Sequence, residues 1–162
     1  MIGSRRAVSQ PTFTSIRKPE ELANVVKRDD DKALYFALKN IAFSYKDLFK
    51  YLVEEFYAHD VDVVKSRSAQ LSDLMEVSEA TLYRWRKSGK KVEEKYAERL
   101  SELIKLYGYG EEALGSRKSF LEWLNSPNIH FNMKPPMDHL DSLPGIRFTK
   151  HLLDKIEYGA PV

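Results

Sequence analysis

Residues 71–86 read Leu-Ser-Asp-Leu-Met-Glu-Val-Ser-Glu-Ala-Thr-Leu-Tyr-Arg-Trp-Arg, and this stretch decides the fold that the sequence predicts. Its apolar spacing is typical of two short helices joined by a tight turn. We expect a first helix at about 69–75, with Leu71 and Leu74 on its inner face. Ser78 is a good N-cap for a second helix at about 79–88, which Gly89 can end. The pattern predicts a helix-turn-helix at about 69–88.

In a helix-turn-helix the second helix lies in the major groove of DNA. We expect Leu82 and Trp85 to pack inward, with Tyr83 and Arg86 beside them. Arg84 could then reach guanine and Thr81 a thymine methyl group, while residues near the helix ends contact phosphates. A helical hairpin with a solvated basic face is the alternative. The candidate DNA-binding residues are Ser78, Thr81, Arg84, Lys87, Ser88, Lys90 and Lys91.

The charge of the chain is balanced overall and uneven locally. The 162 residues carry a net charge of +2, yet residues 84–91 and residues 1–18 contain several Lys and Arg residues and no acid. Localised positive charge on a balanced protein favours a surface that faces phosphates. The absence of cysteine from the sequence excludes disulfides and thiolate metal sites.

The sequence gives no sign of a membrane or secreted protein. No apolar run approaches the roughly 18 residues that a membrane span needs. The first residues are not followed by the apolar region of a secretion signal. We therefore expect a cytoplasmic protein with no membrane partner.

The chain lacks the alternating polar and apolar pattern of strands, so we expect an all-α fold. Residues 1–18 have the composition of a flexible arm, residues 19–108 form a helical region and residues 109–162 form a second small helical module. Within the first region an aromatic-rich amphipathic helix is expected at 45–58. Another is expected near 92–107, ended by Gly108 and Gly110.

The second module begins with a helix capped by Ser116 and stopped by Pro127, with Phe120, Leu121, Trp123 and Leu124 buried. Pro135 and Pro136 open a single turn through Leu140. Gly145 begins the last helix, which Gly159 and Pro161 end. Its inner face is expected to comprise Phe148, Leu152, Leu153 and Ile156.

Several ordered blocks resemble one known family. Residues 77–84 read VSEATLYR, residues 99–103 read RLSEL and residues 119–128 read SFLEWLNSPN. The ending, from Pro136 through Gly145 to Gly159, continues the pattern. From about residue 66 onward the chain resembles an Xre/MbcA/ParS-type antitoxin. It departs from that pattern at Ser119 and Thr149, and at Asn132, where Gly is common. Asn tolerates a left-handed backbone.

The resemblance implies an Xre-like helix-turn-helix followed by a C-terminal toxin-binding domain in a type II antitoxin. Such a protein would neutralise a cognate toxin, most often a RES-domain enzyme that consumes NAD+, by covering its active-site entrance. It would also bind operator DNA and repress its own operon, as a homodimer within a larger complex. The candidate toxin-binding residues are Lys134, Arg147, Lys150, Glu157, Tyr158, Gly159, Ala160, Pro161 and Val162.

The sequence shows few of the residue patterns that are typical of an enzyme active site. Of the four histidines, His130 and His139 are separated by a proline-rich turn, and neither has a nearby acid pair at metal-ligand spacing. A Gly-rich phosphate loop is absent from the sequence. We expect no catalysis, no metal and no cofactor. Two rival functions remain open: a stand-alone transcription regulator with a C-terminal dimerisation or ligand module, and a protein inhibitor whose helix-turn-helix no longer binds DNA.

Overall fold

A computed structural model describes residues 15–27, 30–54, 61–157 and 159 of the chain. The described residues form eight α-helices and three isolated β-bridges, without a longer strand, which confirms the predicted all-α fold. The helices are α1 (Pro19–Lys27), α2 (Asp31–Lys39), α3 (Tyr45–Phe49), α4 (Val61–Met75), α5 (Glu79–Ser88), α6 (Glu94–Leu114), α7 (Arg117–Leu124) and α8 (Leu143–Glu157). A π-helical turn, Lys50–Glu54, continues α3, and two 3-10 turns, Ile129–Phe131 and Pro136–His139, lie between α7 and α8.

The longest helix, α6, is the centre of the fold. It spans 21 residues and contacts α8, α1, α7, α2 and α4. Buried side chains from Ile16 to Leu153 form one hydrophobic cluster around it. The predicted boundary at residues 108 and 109 therefore falls inside a helix whose two ends share a core, and the domain division stays a prediction.

The expected end of this helix at Gly108 and Gly110 is wrong. The helix runs on to Leu114, and Gly115 ends it with a φ of 88°. Gly110 is buried against α7, where an added Cβ would lie 2.1 Å from Cε1 of Phe120. Its missing side chain makes room for the Phe120 ring, so this glycine serves packing and does not stop the helix.

The helix before the tight turn is longer than expected. It begins at Val61 rather than near residue 69, and it ends at Met75 as predicted. Residues 61–64, whose sequence looks strand-like, form its first turn, and Val64 packs against the core. Tertiary packing overrides the modest β preference of valine here.

The aromatic-rich helix begins at residue 45, as predicted. Ser44 and Asp47 form a capping box, in which each side chain accepts a hydrogen bond from the backbone N–H of the other residue. Phe49, Leu52 and Val53 are buried on its inner face. The α-helix becomes π-helical at residue 50, and residues 55–58 of the expected helix lie outside the described residues.

The C-terminal helices follow the prediction in part. Ser116 caps α7, and Phe120 and Leu124 are buried, but Leu121 and Trp123 are only half-buried. The turn after Pro135 is present as the 3-10 turn Pro136–His139. Helix α8 begins at Leu143, two residues before Gly145.

The prediction that Phe148 lies on the inner face of α8 is wrong, because its side chain is 41% exposed. The buried face consists of Ile146, Thr149, Leu152 and Leu153. Thr149 can be fully buried because its hydroxyl donates to the Gly145 carbonyl at 2.8 Å. Thr149 therefore lies on the buried face, where hydrophobicity alone would have placed Phe148.

The predicted N-terminal arm lies mostly outside the described residues. Ile16, near its end, is buried, donates from its N–H to the Asn40 carbonyl and accepts from the Ala42 N–H, both at 2.8 Å. The chain is therefore anchored to the fold at Ile16. No helix within the described ranges is long and apolar enough to span a bilayer.

Candidate functional site

The connection between α4 and α5 is a tight turn, stabilised by a backbone hydrogen bond and by a side chain of α6. Glu76 adopts a left-handed backbone with a φ of 59°, and the Val77 N–H donates to the Ser72 carbonyl at 3.0 Å. Arg99 of α6 donates to the Leu74 carbonyl at 3.0 Å and lies 3.6 Å from the Glu76 carboxylate. Because a carbonyl at the end of a helix has no partner within it, this arginine stabilises the end of α4. It also fixes α4 to the central helix.

The amino end of α5 brings three of the predicted DNA-binding residues together. Ser78 caps the helix as predicted, its Oγ accepting the Thr81 N–H at 3.0 Å. The Ser78 hydroxyl donates to Thr81 Oγ1 at 2.9 Å, and Arg84 Nη2 donates to the same oxygen at 3.1 Å. Ser78 and Arg84 are exposed and Thr81 is half-buried. These contacts hold the three polar groups in one row along the solvent side of α5.

Helix α5 ends at Gly89, as predicted, and the φ of Gly89 is 73°. Lys87 is exposed, and its ammonium lies 5.4 Å from the Tyr83 ring centroid. The Ser88 hydroxyl is used locally, because it donates to the Trp85 carbonyl at 3.2 Å. Lys91 is exposed and pairs through its backbone with Ser44 in an isolated β-bridge.

Lys90 differs from the other candidates in its surroundings. Its ammonium forms an ion pair with Glu93 at 2.9 Å and lies 4.9 Å from the Trp85 ring centroid. The nearby carboxylate offsets part of the positive charge that a phosphate would meet. We therefore rank Lys90 below Lys87 and Lys91 as a phosphate ligand.

The inner side of α5 rests on aromatic stacking. Leu82 is buried as predicted, whereas Trp85 is only half-buried. The Trp85 ring stacks on Tyr45 of α3 at 4.9 Å and lies 5.6 Å from the Tyr96 ring of α6. Burial raises the pKa of Tyr45 to about 12, and its Oη accepts the Glu93 N–H at 3.4 Å. These rings fix the orientation of α5.

One basic feature of this surface was missed from the sequence. The Arg86 guanidinium carbon lies 3.5 Å from the centroid of the Phe49 ring, which places α3 beside the end of α5. Lys46 of α3 thereby lines a surface recess of about 340 Å³, together with Phe49, Arg86, Lys87, Ser88 and Gly89. Lys46 lies far from residues 84–91 in the chain, so only the tertiary structure reveals that it belongs to the same surface.

A second exposed surface lies in the turn between α7 and α8. Residues 128–134 form a closed loop in which the Asn128 N–H donates to the Lys134 carbonyl at 3.2 Å. Asn132 and Met133 both have a left-handed backbone, with φ values of 55° and 67°. The expectation that Asn132 tolerates this backbone is confirmed. Ile129 and Met133 are 71% and 62% exposed, and neither was predicted to have a role.

The candidate cations of the C-terminal region lie on separate elements. Lys134 closes the turn, and Arg147 is exposed on α8. Lys150 is half-buried, pairs with Asp154 at 3.4 Å and lies 4.9 Å from the Tyr109 ring centroid. Its charge therefore has partners within the fold, unlike a cation held ready for another protein.

The candidate tail is described only at its start. Glu157 is exposed at the end of α8, and Gly159, with a φ of 76°, donates to the Ile156 carbonyl at 3.0 Å. This left-handed glycine ends the helix as expected. Tyr158, Ala160, Pro161 and Val162 lie outside the described residues.

Comparison with known families identifies this C-terminal region. Residues 110–159 match the family model of the antitoxin Xre/MbcA/ParS C-terminal toxin-binding domain. This region is thus similar to the toxin-binding domain of Xre/MbcA/ParS antitoxins. A comparison with curated proteins found no match. The resemblance expected from the sequence is confirmed over residues 110–159, and this match supports an antitoxin role.

The matched region, residues 110–159, contains most of the predicted toxin contacts. It includes Lys134, Arg147 and Lys150, and it ends at Gly159, whereas Ala160, Pro161 and Val162 follow it. Its histidine His139 stacks on Phe131, with ring centroids 4.3 Å apart, and so takes part in packing. Within the described part of the chain, no group of three or more His, Asp or Glu residues is arranged to hold a metal ion.

Proposed function

We propose that this protein is the antitoxin of a type II toxin–antitoxin pair that also regulates its own operon. It would bind a cognate toxin, most often of the RES-domain, NAD+-consuming kind in the family that it resembles. By covering the active-site entrance it would block the toxin. The observation that carries the proposal is the toxin-binding domain at residues 110–159.

Binding to operator DNA is supported by the α4–α5 pair. A turn of three residues, 76–78, joins α4 to a capped second helix, and Ser78, Thr81 and Arg84 form a polar row on its exposed side. Arg84 has the hydrogen-bond geometry to read guanine, and the exposed Lys87 and Lys91 have the charge to contact phosphates. We add Lys46 as a phosphate contact, because it lines the same recess as Lys87. A homodimer would suit an operator with inverted half-sites.

Occlusion of the toxin is assigned to the tail that follows α8. Residues 157–162 read Glu-Tyr-Gly-Ala-Pro-Val, a mostly apolar sequence with several small residues, and α8 ends at Glu157. Such a segment suits a narrow cleft in a neighbouring protein. The exposed Lys134 and Arg147 would contact acidic residues around it.

The proposal is tested by expressing the chain with the product of the neighbouring gene and measuring NAD+ loss, complex formation and binding to the upstream DNA. The full chain should form the complex and prevent NAD+ loss. A variant truncated after Glu157 keeps all of α8 and should therefore keep its melting temperature and its DNA binding. It should, however, allow NAD+ consumption to resume.

Each part of the proposal has its own contrary result. A full chain that neither binds the neighbouring gene product nor protects NAD+ would overturn the antitoxin assignment and favour a stand-alone regulator. Full inhibition by the truncated variant would overturn the role of the tail. DNA affinity that does not fall as salt concentration rises would contradict an interface built on phosphate contacts.

A further inference from the structure

We infer that an exposed apolar patch, formed by Ile129, Met133 and Phe148, anchors the toxin-binding domain in an apolar recess of the toxin. This inference rests on the proposed function and names the surface that carries most of the affinity. The candidate contacts drawn from the sequence were cations and the tail, and none of the three patch residues was among them.

Three exposed large hydrophobic side chains lie in the region that matches the toxin-binding domain. Among the described residues, six large hydrophobic side chains are at least a third exposed, and three of them lie within residues 110–159. Ile129, Met133 and Phe148 are exposed by 71%, 62% and 41%. Soluble proteins scatter such residues singly, whereas a cluster of them marks an interaction surface.

Phe131 links the turn that contains Ile129 and Met133 to Phe148 of α8. It lies in the turn midway between Ile129 and Met133, is only 8% exposed, and contacts the Phe148 ring edge to face at 5.1 Å. Its other face stacks on His139. The Phe131 ring therefore packs the turn that carries Ile129 and Met133 against Phe148 of α8.

The backbone of the turn presents Met133 at an energetic cost. A left-handed conformation is unfavourable for residues other than glycine, and Asn132 and Met133 adopt it in succession. The Met133 N–H donates to the Asn128 carbonyl at 2.9 Å, and the His130 N–H donates to Asn128 Oδ1 at 2.9 Å. A strained turn that is held by hydrogen bonds and exposes an apolar side chain is expected where a partner covers that side chain. Its rigidity would also lower the entropy lost on binding.

The toxin is the occupant that these observations favour. All three side chains lie in the domain that the family match identifies as toxin-binding. An apolar surface is unsuited to nucleic acid phosphates. Exposed cations adjoin the patch in sequence, Lys134 next to Met133 and Arg147 next to Phe148. An apolar centre with a polar edge is the usual composition of a protein interface.

The test measures binding of the purified neighbouring-gene toxin by calorimetry to the full chain and to the double variant Ile129→Gln/Met133→Asn. Asparagine is chosen because it accepts the left-handed backbone. We expect the dissociation constant to rise by more than about 30-fold, since a central apolar anchor usually contributes a large share of the affinity. The control Tyr35→Ser removes a side chain that is 56% exposed on α2, outside the domain, and should change affinity less than about 2-fold. If the turn variant does not fold, toxin binding is measured with Phe148→Ser instead, because Phe148 lies on a regular helix.

The outcomes separate this inference from the proposed function. If the full chain does not bind the toxin, both fail. If the full chain binds and the folded patch variants bind equally well, the inference is overturned and the antitoxin assignment stands. If the patch variants convert a dimer of the chain to a monomer while keeping full toxin affinity, the patch serves a second copy of the chain, and the inference is again overturned.

Discussion

Recognition of the DNA base sequence by α5 would depend most on Arg84. Its guanidinium is held 3.1 Å from Thr81 Oγ1, so part of its side-chain entropy is already lost before DNA binds. We expect Arg84→Ala to weaken operator binding by about 1–3 kcal/mol and to leave toxin inhibition intact. A gel-shift titration at fixed salt measures the change.

The matched control for Arg84→Ala is Lys118→Ala, which removes one exposed cation from α7 and changes the net charge equally. It should leave operator affinity nearly unchanged. Equal operator affinity of Arg84→Ala and the unaltered protein would contradict the assignment of this row of residues. A similar loss of operator affinity in both variants would show that the change in net charge alone causes the effect.

At the residue scale, the features that were predicted correctly are those that depend on neighbouring residues in the chain. The caps at Ser78 and Ser116 and the left-handed ends at Gly89 and Gly159 follow from the hydrogen bonds and backbone freedom of single residues. The Lys90–Glu93 pair and the exposure of the apolar patch were not predicted. They depend on side-chain directions that only the folded chain sets.

Among the elements, α6 shows what an internal glycine can do. Gly110 leaves the space in which the Phe120 ring of α7 packs. Alanine favours a helix over glycine by about 1 kcal/mol, but its methyl group would overlap the ring. We expect Gly110→Ala to lower the free energy of unfolding by about 1–3 kcal/mol, because the cost of overpacking exceeds the gain in helix propensity. Urea denaturation measures it.

A double-mutant cycle tests the cause of that loss. Phe120→Leu alone should destabilise the protein by leaving part of the Phe120 site empty. Combined with Gly110→Ala, it should cost less than the sum of the two single changes, because the smaller side chain makes room for the new methyl group. Strict additivity would show that the two positions do not interact, and that the loss comes from elsewhere.

Element boundaries were predicted least well where distant residues decide them. The two glycines of α6 resemble a helix end until Phe120 is placed beside one of them. Residues 61–64 resemble a strand until they pack as the first turn of α4. The type of each element followed from hydrophobic spacing, which is local. Its length followed from packing against elements far along the chain.

For the whole molecule, the contact between α4 and the 3-10 turn Pro136–His139 joins the two candidate surfaces. Gln70 of α4 donates to the Met137 carbonyl at 2.6 Å, and Arg67 Nη1 donates to Gln70 Oε1 at 3.0 Å. Met137 is fully buried. We expect Gln70→Ala to lower the free energy of unfolding by about 1–2 kcal/mol, because a buried carbonyl loses a hydrogen bond.

Two tryptophans report whether the halves unfold together. Trp85 lies on α5 and Trp123 on α7, and single-tryptophan variants, Trp85→Phe and Trp123→Phe, separate their fluorescence. Because one hydrophobic cluster spans both regions, Gln70→Ala should shift the urea midpoints of both probes equally. Ser66→Ala, an exposed change on the same helix, is the control. Separate midpoints would show that the halves are independent.

The shared helix α6 has a consequence for how such a protein could be switched off. Its buried side chains belong to the same cluster as those of α4, α5 and α8, so neither end keeps a complete interior without the other. Under the proposed function, a protease that unfolded the chain from either terminus would therefore destroy both activities in one event. Transcription of the pair would resume at the same moment that the enzyme lost its inhibitor.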